Sequence, residues 1–487
     1  MRPSLKKNFF YNFFYKIITL LIPLIITPYL SRVLGADGIG IQSYTTTIAS
    51  YFILIGCLGI SSYGAREISR ERDNKENTSK IFFELTLLKL FIFSIVICFY
   101  IILIIFSVNY SIIFLILLLY LLANILDITW FYTGLEEFKA ISIRNIIIKL
   151  IYVPVVFLFV RGENALLIYL LVFSIFELAS ALTLWFPVFK KLCKFNLKTL
   201  NLKRHFKNTF IYFIPAIATT ITTSIDKVML KCIVSDTNTV GYYEQAMKVI
   251  KLAEGIGFSL NTIMEPRMSL LYKENNLTQL KELLLTSLNL IFIVIFPLIL
   301  GICAIANNFV PIFFGEGYSA VITLLLIMSP LILFTNISNT LGAQYLTPSG
   351  QRKKSAKAIV IGMFINVILN AFLIPFIGSY GAVIASIVAE FMIALLYLIY
   401  SRKIIKISEI IKITPKKLFA SILMFCLVYG IGFVLPYGNT TSINIVYLLL
   451  QIVLGVVFYF LILLLTKDKL VLNTIKNFFS KLKRQKN

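Results

Sequence analysis

Ionisable side chains inside long apolar segments are the residues of this chain most able to do chemistry. Glu244, Lys248 and Lys251 recur at intervals of four and three residues and are followed by Gly255. This spacing puts all four positions on one stripe of a helix. A charged group within a membrane costs at least roughly 2.5–3.5 kcal/mol unless it faces a cavity or a partner. The stripe therefore predicts either an aqueous cavity or an internal Glu244–Lys248 pair that balances itself.

Other basic residues extend the same prediction. Asp226 and Lys227 are adjacent and lie about 100° apart on a helix, so one can face a cavity while the other contacts a neighbouring helix. Arg32 stands at a related position in an earlier segment. A cavity with excess positive charge attracts anions, above all phosphates. We therefore expect Arg32, Lys227, Lys248 and Lys251 to contact an anionic headgroup.

Acidic residues within the segments are candidates for ion coupling. Solitary acids in membrane helices serve proton or sodium relays, or they hydrogen-bond to a neighbouring helix. Both interpretations stay open for Asp226, Glu177, Glu390, Asp127 and Glu244.

Motifs of the common catalytic and metal sites are missing from the sequence. It contains one histidine, His205, and six scattered cysteines. There is no HExxH, no GxSxG and no GxxxxGK[ST] pattern. We therefore predict no catalytic residue, no metal site and no cofactor.

The elements that must position these residues are membrane-spanning helices. Hydrophobic residues make up 59% of the chain, and a helix needs on the order of 20 apolar residues to cross a bilayer. About fourteen segments meet this length. They are approximately 9–31, 39–64, 81–106, 110–133, 143–160, 165–189, 209–234, 240–264, 284–305, 319–346, 356–376, 380–401, 417–435 and 443–466.

Basic residues alternate along these segments. Of the 46 Lys and Arg residues, 38 lie at the N-terminus and at every second connection. Because cationic loops stay in the cytoplasm, both termini are predicted to be cytoplasmic. The net charge of +24 is divided among short loops beside apolar segments, which favours contact with membrane lipid and argues against nucleic-acid binding.

Two short motifs recur about 200 residues apart. They pair Arg32, Asp37 and Gly40 with Lys227, Asp236 and Gly241, and Asn124, Trp130 and Gly134 with Asn339, Tyr345 and Gly350. Six segments separate the copies, and an even number gives parallel repeats. We predict an all-α polytopic membrane protein of two six-helix lobes plus two C-terminal helices. The predicted boundaries are 1–189 for the first lobe, 190–208 for a cytoplasmic linker, 209–401 for the second lobe, and 402–487 for the last two helices and a basic tail.

Three motifs resemble a known family. They are Thr27-Pro28-Tyr29-Leu30-Ser31-Arg32-Val33-Leu34-Gly35, Trp130-Phe131-Tyr132-Thr133-Gly134-Leu135-Glu136 and Asp226-Lys227-Val228-Met229-Leu230. They resemble Wzx-type polysaccharide flippases of the multidrug/oligosaccharidyl-lipid/polysaccharide exporter superfamily. The resemblance implies a V-shaped pair of lobes around a cavity that opens alternately to each side. It also implies an ion gradient as the energy source. Of the candidate site residues, the resemblance covers Arg32, Asp226 and Lys227, which stand at positions of the family's motifs.

The leading hypothesis is a flippase of the bacterial cytoplasmic membrane for an oligosaccharide on undecaprenyl diphosphate. The resemblance implies a role in O-antigen, capsule or other exopolysaccharide synthesis, beside a polysaccharide polymerase and a chain-length regulator. The alternatives are a cation-coupled drug or metabolite exporter of the same superfamily and a membrane glycan polymerase. A polymerase is disfavoured because the longest exterior connection holds only Glu316 as a charge.

Overall fold

The computed structural model describes residues 5–193, 200–434 and 441–472. Within these ranges, the structure describes the helices but not the side chains of residues 5–17, 20, 140, 258, 259, 262, 441 and 442. The described residues form helices joined by short turns, with no β-strand among them, which confirms the predicted all-α class. They belong to two compact units, Met1–Gly241 and Tyr242–Asn487, called here the first unit and the second unit.

The helices follow one another closely along the chain. In the first unit they are α1 (Leu5–Cys57), α2 (Ile60–Glu71), α3 (Lys75–Phe106), a 3-10 turn (Val108–Tyr110), α4 (Ser111–Leu126), α5 (Thr129–Gly134), α6 (Phe138–Phe159), α7 (Ala165–Leu182), α8 (Trp185–Val188) and α9 (Lys203–Val234). Helix α10 (Thr237–Lys273) begins in the first unit and continues in the second. The second unit continues with α11 (Leu277–Phe314), α12 (Ser319–Met328), α13 (Pro330–Leu341), a π-helical segment (Gly342–Leu346), α14 (Arg352–Ile377), α15 (Ser379–Ser401), α16 (Ile407–Ile413), α17 (Pro415–Val434) and α18 (Thr441–Leu465).

The predicted number of membrane-spanning segments is consistent with these helices. Eleven helices of the described residues are long and apolar enough to cross a membrane, and the bent pair α12–α13 makes twelve. One of the eleven, Leu21–Glu71, is 51 residues long and covers two predicted segments. Helix α10 has 37 residues but seven charged side chains, so composition alone does not identify it. With these two the total reaches fourteen, and the protein is a multi-pass membrane protein.

Apolar side chains face both inward and outward in each unit. Helices α4 and α7 pack together in the first unit, as do α14 with α15 and α11 with α17 in the second. Large apolar groups also point away from these contacts, and Phe376 is 83% exposed. In water such a surface would be a liability, whereas lipid tails cover it without cost.

Breaks in three long apolar stretches position polar groups. Gly35 interrupts α1 with a φ of 65°, a conformation in which glycine is the least strained residue. Asp127 and Ile128 separate α4 from α5. Pro330 begins α13 after Ser329, and α12 and α13 meet at a bend of 42°. Since proline cannot donate to the preceding turn, its place at a helix start explains this bend.

The two copies of the first repeated motif touch each other within the first unit. A Cβ on Gly40 would lie 1.8 Å from the carbonyl oxygen of Thr237, and a Cβ on Gly241 would lie 2.0 Å from that of Ala36. Thr237 follows Ala36, and Gly241 follows Gly40, by the same 201 positions. A reciprocal contact of this kind is what two related copies make about a local two-fold axis. The repeat and its domain boundaries stay a prediction.

A buried ionic cluster fixes the start of α9 to α3. Glu84 is fully buried and accepts hydrogen bonds from Arg204 Nη2 at 2.6 Å and from the Asn201 amide at 2.7 Å. His205 Nε2 lies 2.8 Å from the same carboxylate, and its Nδ1 lies 2.9 Å from the Tyr63 hydroxyl. The single histidine thus has a packing role that its place in a basic segment did not indicate.

Candidate functional site

A polar cavity of about 490 Å³ lies inside the first unit, where α4, α6 and α7 meet. Its charged lining residues are Asp127, after the end of α4, Arg144 and Lys149 of α6, and Glu177 of α7. Two acidic and two basic groups give this lining a formal charge of zero. A cavity of this size and polarity suits a small polar ligand.

The basic residues of the cavity are held by neighbouring oxygen atoms. Arg144 Nη1 donates to the carbonyl of Ser180 at 2.6 Å, which ties α6 to the end of α7. Arg144 Nε donates to Asn145 Oδ1 at 3.1 Å. Lys149 Nζ donates to the hydroxyl of Thr19 on α1 at 3.3 Å. Both cations are therefore positioned by the helices around the cavity.

The acidic residues face these cations. Asp127 Oδ1 accepts hydrogen bonds from the Thr129 amide at 3.1 Å and from the Thr129 hydroxyl, so it caps the start of α5. Glu177 is exposed to the cavity, and its carboxylate is attracted by Lys149 and Arg144. Two of the acids predicted from sequence thus share one site.

The remaining lining is aromatic and amide in character. It includes Tyr152, Tyr169, Phe173 and Phe176, with Asn124 and Asn145. Amides and carboxylates can donate to and accept from several hydroxyl groups, while aromatic faces pack against C–H groups. Because the four charged residues balance and the other side chains are neutral, the lining fits a polyhydroxylated ligand better than it fits a diphosphate.

Arg144 and Lys149 are functional candidates that sequence reasoning missed. Both lie near the cytoplasmic end of a predicted segment and were counted among the 38 topology-determining residues. Their five-residue spacing on an otherwise apolar stretch was the available signal. It was ambiguous because long basic side chains also reach from helix ends to the lipid headgroups.

The predicted residues of α1 and α9 lie elsewhere in the first unit. Arg32 is exposed, and its Nη1 donates to the carbonyl of Pro28 at 2.8 Å. Asp226 is 1% exposed, whereas Lys227 is half-buried, and their predicted roles at a cavity and at a neighbouring helix stay a prediction. Two residues before Asp226 on α9, Ser224 donates to the Tyr51 hydroxyl at 3.2 Å.

The charged stripe of α10 lies in the second unit. Glu244 and Lys248 are half-buried, and Lys251 is exposed. The side chains therefore become more accessible toward the middle of the helix. This gradient is compatible with either sequence interpretation, and the anion-binding role of Lys248 and Lys251 stays a prediction.

A pair of carboxylates is found deeper in the second unit. Glu254 of α10 lies near the Thr335 hydroxyl of α13, and its charge interacts with Lys251. Glu390 of α15 is close enough to Glu254 for the two carboxylates to repel each other. Helices α13 and α15 pack closely in this region. The structure thus gives Glu390, a predicted coupling residue, an acidic neighbour.

Neutral polar residues continue from this pair along α10 and α13. Gln344 Nε2 donates to Asn261 Oδ1 at 2.8 Å. Asn336 Oδ1 points at Gly257, where an added Cβ would approach it to 1.8 Å. We call Gly257, Asn261, Asn336, Thr340 and Gln344 the amide seam. The sequence signal was three polar residues four positions apart, at 336, 340 and 344, in an apolar stretch.

No group of three or more His, Cys, Asp or Glu side chains in the described part of the chain is arranged to hold a metal ion. The six cysteines are free thiols.

Sequence comparisons relate the chain to proteins of glycan synthesis. A family model described as "Polysaccharide biosynthesis protein" matches residues 5–272. A protein of Escherichia coli (strain K12) named "Putative O-antigen transporter" is 25% identical over 410 residues, which cover 82% of this chain and 97% of that protein. A Haloferax volcanii protein named "Probable low-salt glycan biosynthesis flippase Agl15" is 24% identical over 147 residues, covering 30% and 31%.

Solved structures show the same fold at low sequence identity. The lipid II flippase MurJ in its inward closed conformation matches with a TM-score of 0.66 and 17% identity, over 93% of this chain and 97% of that one. An inward-facing multidrug resistance MATE transporter matches with a TM-score of 0.62 and 13% identity, over 82% and 96%. At these identities the comparison establishes the fold alone.

Proposed function

The chain belongs to the polysaccharide biosynthesis protein family, and on that basis we propose that it is a flippase for a lipid-linked oligosaccharide. It would move a repeat unit on polyprenyl diphosphate across the bacterial cytoplasmic membrane for O-antigen, capsule or exopolysaccharide synthesis. The relative named as an O-antigen transporter, covered over 97% of its length, is the observation that carries this proposal. The flippase fold of MurJ adds support.

We assign the diphosphate to basic residues outside the balanced cavity. Arg32 and Lys251 are exposed, and Lys227 and Lys248 are half-buried, so each can reach a ligand. Arginine and lysine are the usual phosphate contacts in proteins.

We assign the sugars to the cavity of the first unit. Its formal charge of zero offers no advantage to a diphosphate, while its amides, carboxylates and aromatic rings match hydroxyl groups and C–H faces. The cavity volume of about 490 Å³ lies within the range of small-molecule sites. Asp127, Arg144 and Glu177 would then orient the headgroup.

An apolar groove of the second unit supports a lipid cargo. It measures about 370 Å³ and lies between α11, α17 and α18, with Pro297, Gly301, Met424, Gly455 and Tyr459 in its lining. Small residues at Gly301 and Gly455 keep the groove open. An isoprenoid chain could pack in this groove as it packs among lipid tails, since both surroundings are apolar.

Transport would proceed by alternating access with both termini in the cytoplasm, driven by an ion gradient. Among the acids proposed for coupling, Glu390 is favoured because it lies close to a second acid, Glu254 of α10. Glu177 instead has two basic neighbours, Lys149 and Arg144, beside the acid Asp127. A polysaccharide polymerase and a chain-length regulator are the expected partners.

Charge removal on α10 tests the proposal in cells. In a strain whose own gene is deleted, we expect Lys248→Gln together with Lys251→Gln to lower surface glycan at least about ten-fold at equal protein level. Lys353→Gln, an exposed residue of α14, is the matched control and should leave export unchanged.

Two outcomes would count against this proposal. Full export by the α10 double variant would remove the diphosphate assignment. A deletion strain with normal glycan but increased sensitivity to cationic drugs would instead support a drug exporter, the function of the multidrug resistance transporters with the same fold.

A further inference from the structure

The amide seam holds buried polar atoms that the protein itself does not satisfy. Asn336 and Asn261 are 1% and 2% exposed, and Thr340 and Gln344 are fully buried. Among the side chains that the structure describes, Asn336 Oδ1, Thr340 Oγ1, Gln344 Oε1 and Asn261 Nδ2 have no hydrogen-bond partner. An unpartnered buried polar atom costs about 1–3 kcal/mol, so four in one place indicate a ligand.

These atoms form a row. Asn336, Thr340 and Gln344 are four residues apart, which puts them on one face over about 12 Å of helix. Asn261 of α10 meets that face at Gln344. Gly257, one turn earlier on α10, is in close contact with Asn336, since a Cβ at that position would lie 1.8 Å from Asn336 Oδ1. The row therefore lies where these two helices approach each other closely.

The chemistry of the row favours water over a metal ion. A cation would need several converging oxygen atoms and would be repelled by the Asn261 amide N–H groups. Water both donates and accepts, and a buried water needs two to four polar partners. Thr340 supports this assignment, because a threonine within a helix commonly donates to the carbonyl four residues before it, and this hydroxyl does not.

One end of the row leads to the carboxylate pair. Thr335, which precedes Asn336 on α13, lies near Glu254. Glu254 lies three and seven residues before Gly257 and Asn261, on the same face of α10. The groups that face its carboxylate are Thr335 of α13, Lys251 of its own helix and Glu390 of α15. The other end of the row reaches the π-helical segment, a feature often found at functional sites.

We propose that a file of hydrogen-bonded water occupies the amide seam and carries protons between Glu254 and the end of α13. The step is a proton transfer along hydrogen bonds, in which a carboxyl group releases a proton to water and regains one from its other side. The proposed topology places the end of α13 at the cytoplasm, so inward proton release would accompany outward movement of cargo. The proton-carrying role rests on the proposed transport function. The exchange measurement that tests the water file first does not depend on transport.

Hydrogen–deuterium exchange at the carboxyl pair tests the file on the purified full-length protein. After transfer into D₂O at acidic pH, infrared spectroscopy follows the C=O band that Glu254→Gln and Glu390→Gln remove. We expect Thr340→Val and Gln344→Met, which keep side-chain volume, to slow exchange of that band at least about ten-fold. Thr222→Val is the matched control, since Thr222 is buried and donates to its own helix at Ala218.

Exchange as fast in the seam variants as in the wild type would overturn the proposal. So would slow exchange of the same size in Thr222→Val. Helical circular dichroism and gel filtration identify variants that fail to fold, and of the two seam variants a folded one is sufficient for the comparison.

A liposome measurement separates the proton file from transport itself. In sodium-free liposomes that contain a fluorescent polyprenyl-diphosphate oligosaccharide, the wild type should flip lipid faster under a pH gradient. The seam variants should flip at the gradient-free rate. A wild type that flips no lipid, yet exchanges through the seam, would contradict the proposed function and leave the file standing. Stimulation by sodium alone would contradict the file.

Discussion

The first unit and the second unit place polar groups in opposite ways. In the first, Asp127, Arg144, Lys149 and Glu177 form a charged but balanced cavity of about 490 Å³. In the second, neutral amides and hydroxyls form a narrow row that ends at two acids, Glu254 and Glu390, which repel each other. One arrangement can bind a polar molecule, and the other can pass a proton.

The two units differ in what offsets the cost of removing each polar group from water. A charge in a low-dielectric interior must be paired, so the four ionic residues of the cavity depend on one another. Neutral amides need only hydrogen bonds, which water can supply. Substitutions that remove charge should therefore be severe in the first unit, whereas substitutions that only remove hydrogen bonds should affect coupling in the second.

Loss of Arg144 should have the largest effect on transport. Arg144→Met leaves Asp127 and Glu177 in excess and removes the hydrogen bond to Ser180. A hydrogen bond to a charged group contributes about 1.5–3 kcal/mol, so we expect glycan export to fall about 30-fold. Arg161→Met, at an exposed arginine beyond the end of α6, should not lower export.

A double variant distinguishes charge balance from simple packing. Arg144→Met with Glu177→Gln restores a formal charge of zero, and we expect it to recover much of the lost export. If export stays as low as in Arg144→Met alone, the hydrogen bond to Ser180 accounts for the loss, and the balanced cavity is not the cause.

Neutralising the acid pair should affect the response to a gradient more than basal flipping. Glu390→Gln leaves Glu254 as the one carboxylate of the pair, so we expect the acceleration of flipping by a pH gradient to fall about ten-fold in liposomes. Glu177→Gln, the corresponding change in the first unit, should retain that acceleration. The reverse pattern would move coupling to the first unit.

The smallest effect on transport is expected at an ion pair that serves structure. Lys417 Nζ lies 2.8 Å from Asp468 Oδ2, and both side chains are 4% exposed. Burial by itself raises the pKa of Asp468, but the hydrogen bond and charge of Lys417, with the amides of Val471 and Leu470, hold that pKa below its ordinary value. This stabilisation exists above the unfolded pKa of about 3.9 and is lost as pH falls through the lower folded value.

Thermal unfolding in detergent checks the ion pair. Asp468→Asn should lower the free energy of unfolding by about 3–5 kcal/mol at pH 7, and its difference from the wild type should shrink below about pH 4. Glu409→Gln, which breaks the more exposed pair with Lys281, should change stability little. A pH-independent difference would show that packing, not charge, explains the loss. Transport by the folded Asp468→Asn protein should match the wild type.

Sequence reasoning predicted the features that depend on composition along one helix. Apolar length is a local signal, so the all-α class and the membrane-spanning segments could be predicted. Asp127 and Glu177 were recognised because a lone acid in an apolar segment is costly wherever it points.

Features that depend on how helices face each other were missed. Arg144 and Lys149 lie where basic residues usually mark a membrane interface, and only packing against α7 shows that they line a cavity. Asn336, Thr340 and Gln344 carry no charge, and their four-residue spacing alone did not mark them as a site. Their significance comes from Gly257 and Asn261 on another helix, a pairing that periodicity along one segment cannot reveal.

Flipping by the purified protein tests the central claim most directly. The full-length chain is placed in liposomes with a polyprenyl-diphosphate oligosaccharide labelled on its sugar, and an impermeant quencher reports which leaflet holds the label. We predict that the label reaches the opposite leaflet several-fold faster than in protein-free liposomes, and faster again under a pH gradient. Exchange no faster than in protein-free liposomes, by a protein of native helical content, would contradict the assignment as a lipid-linked oligosaccharide flippase.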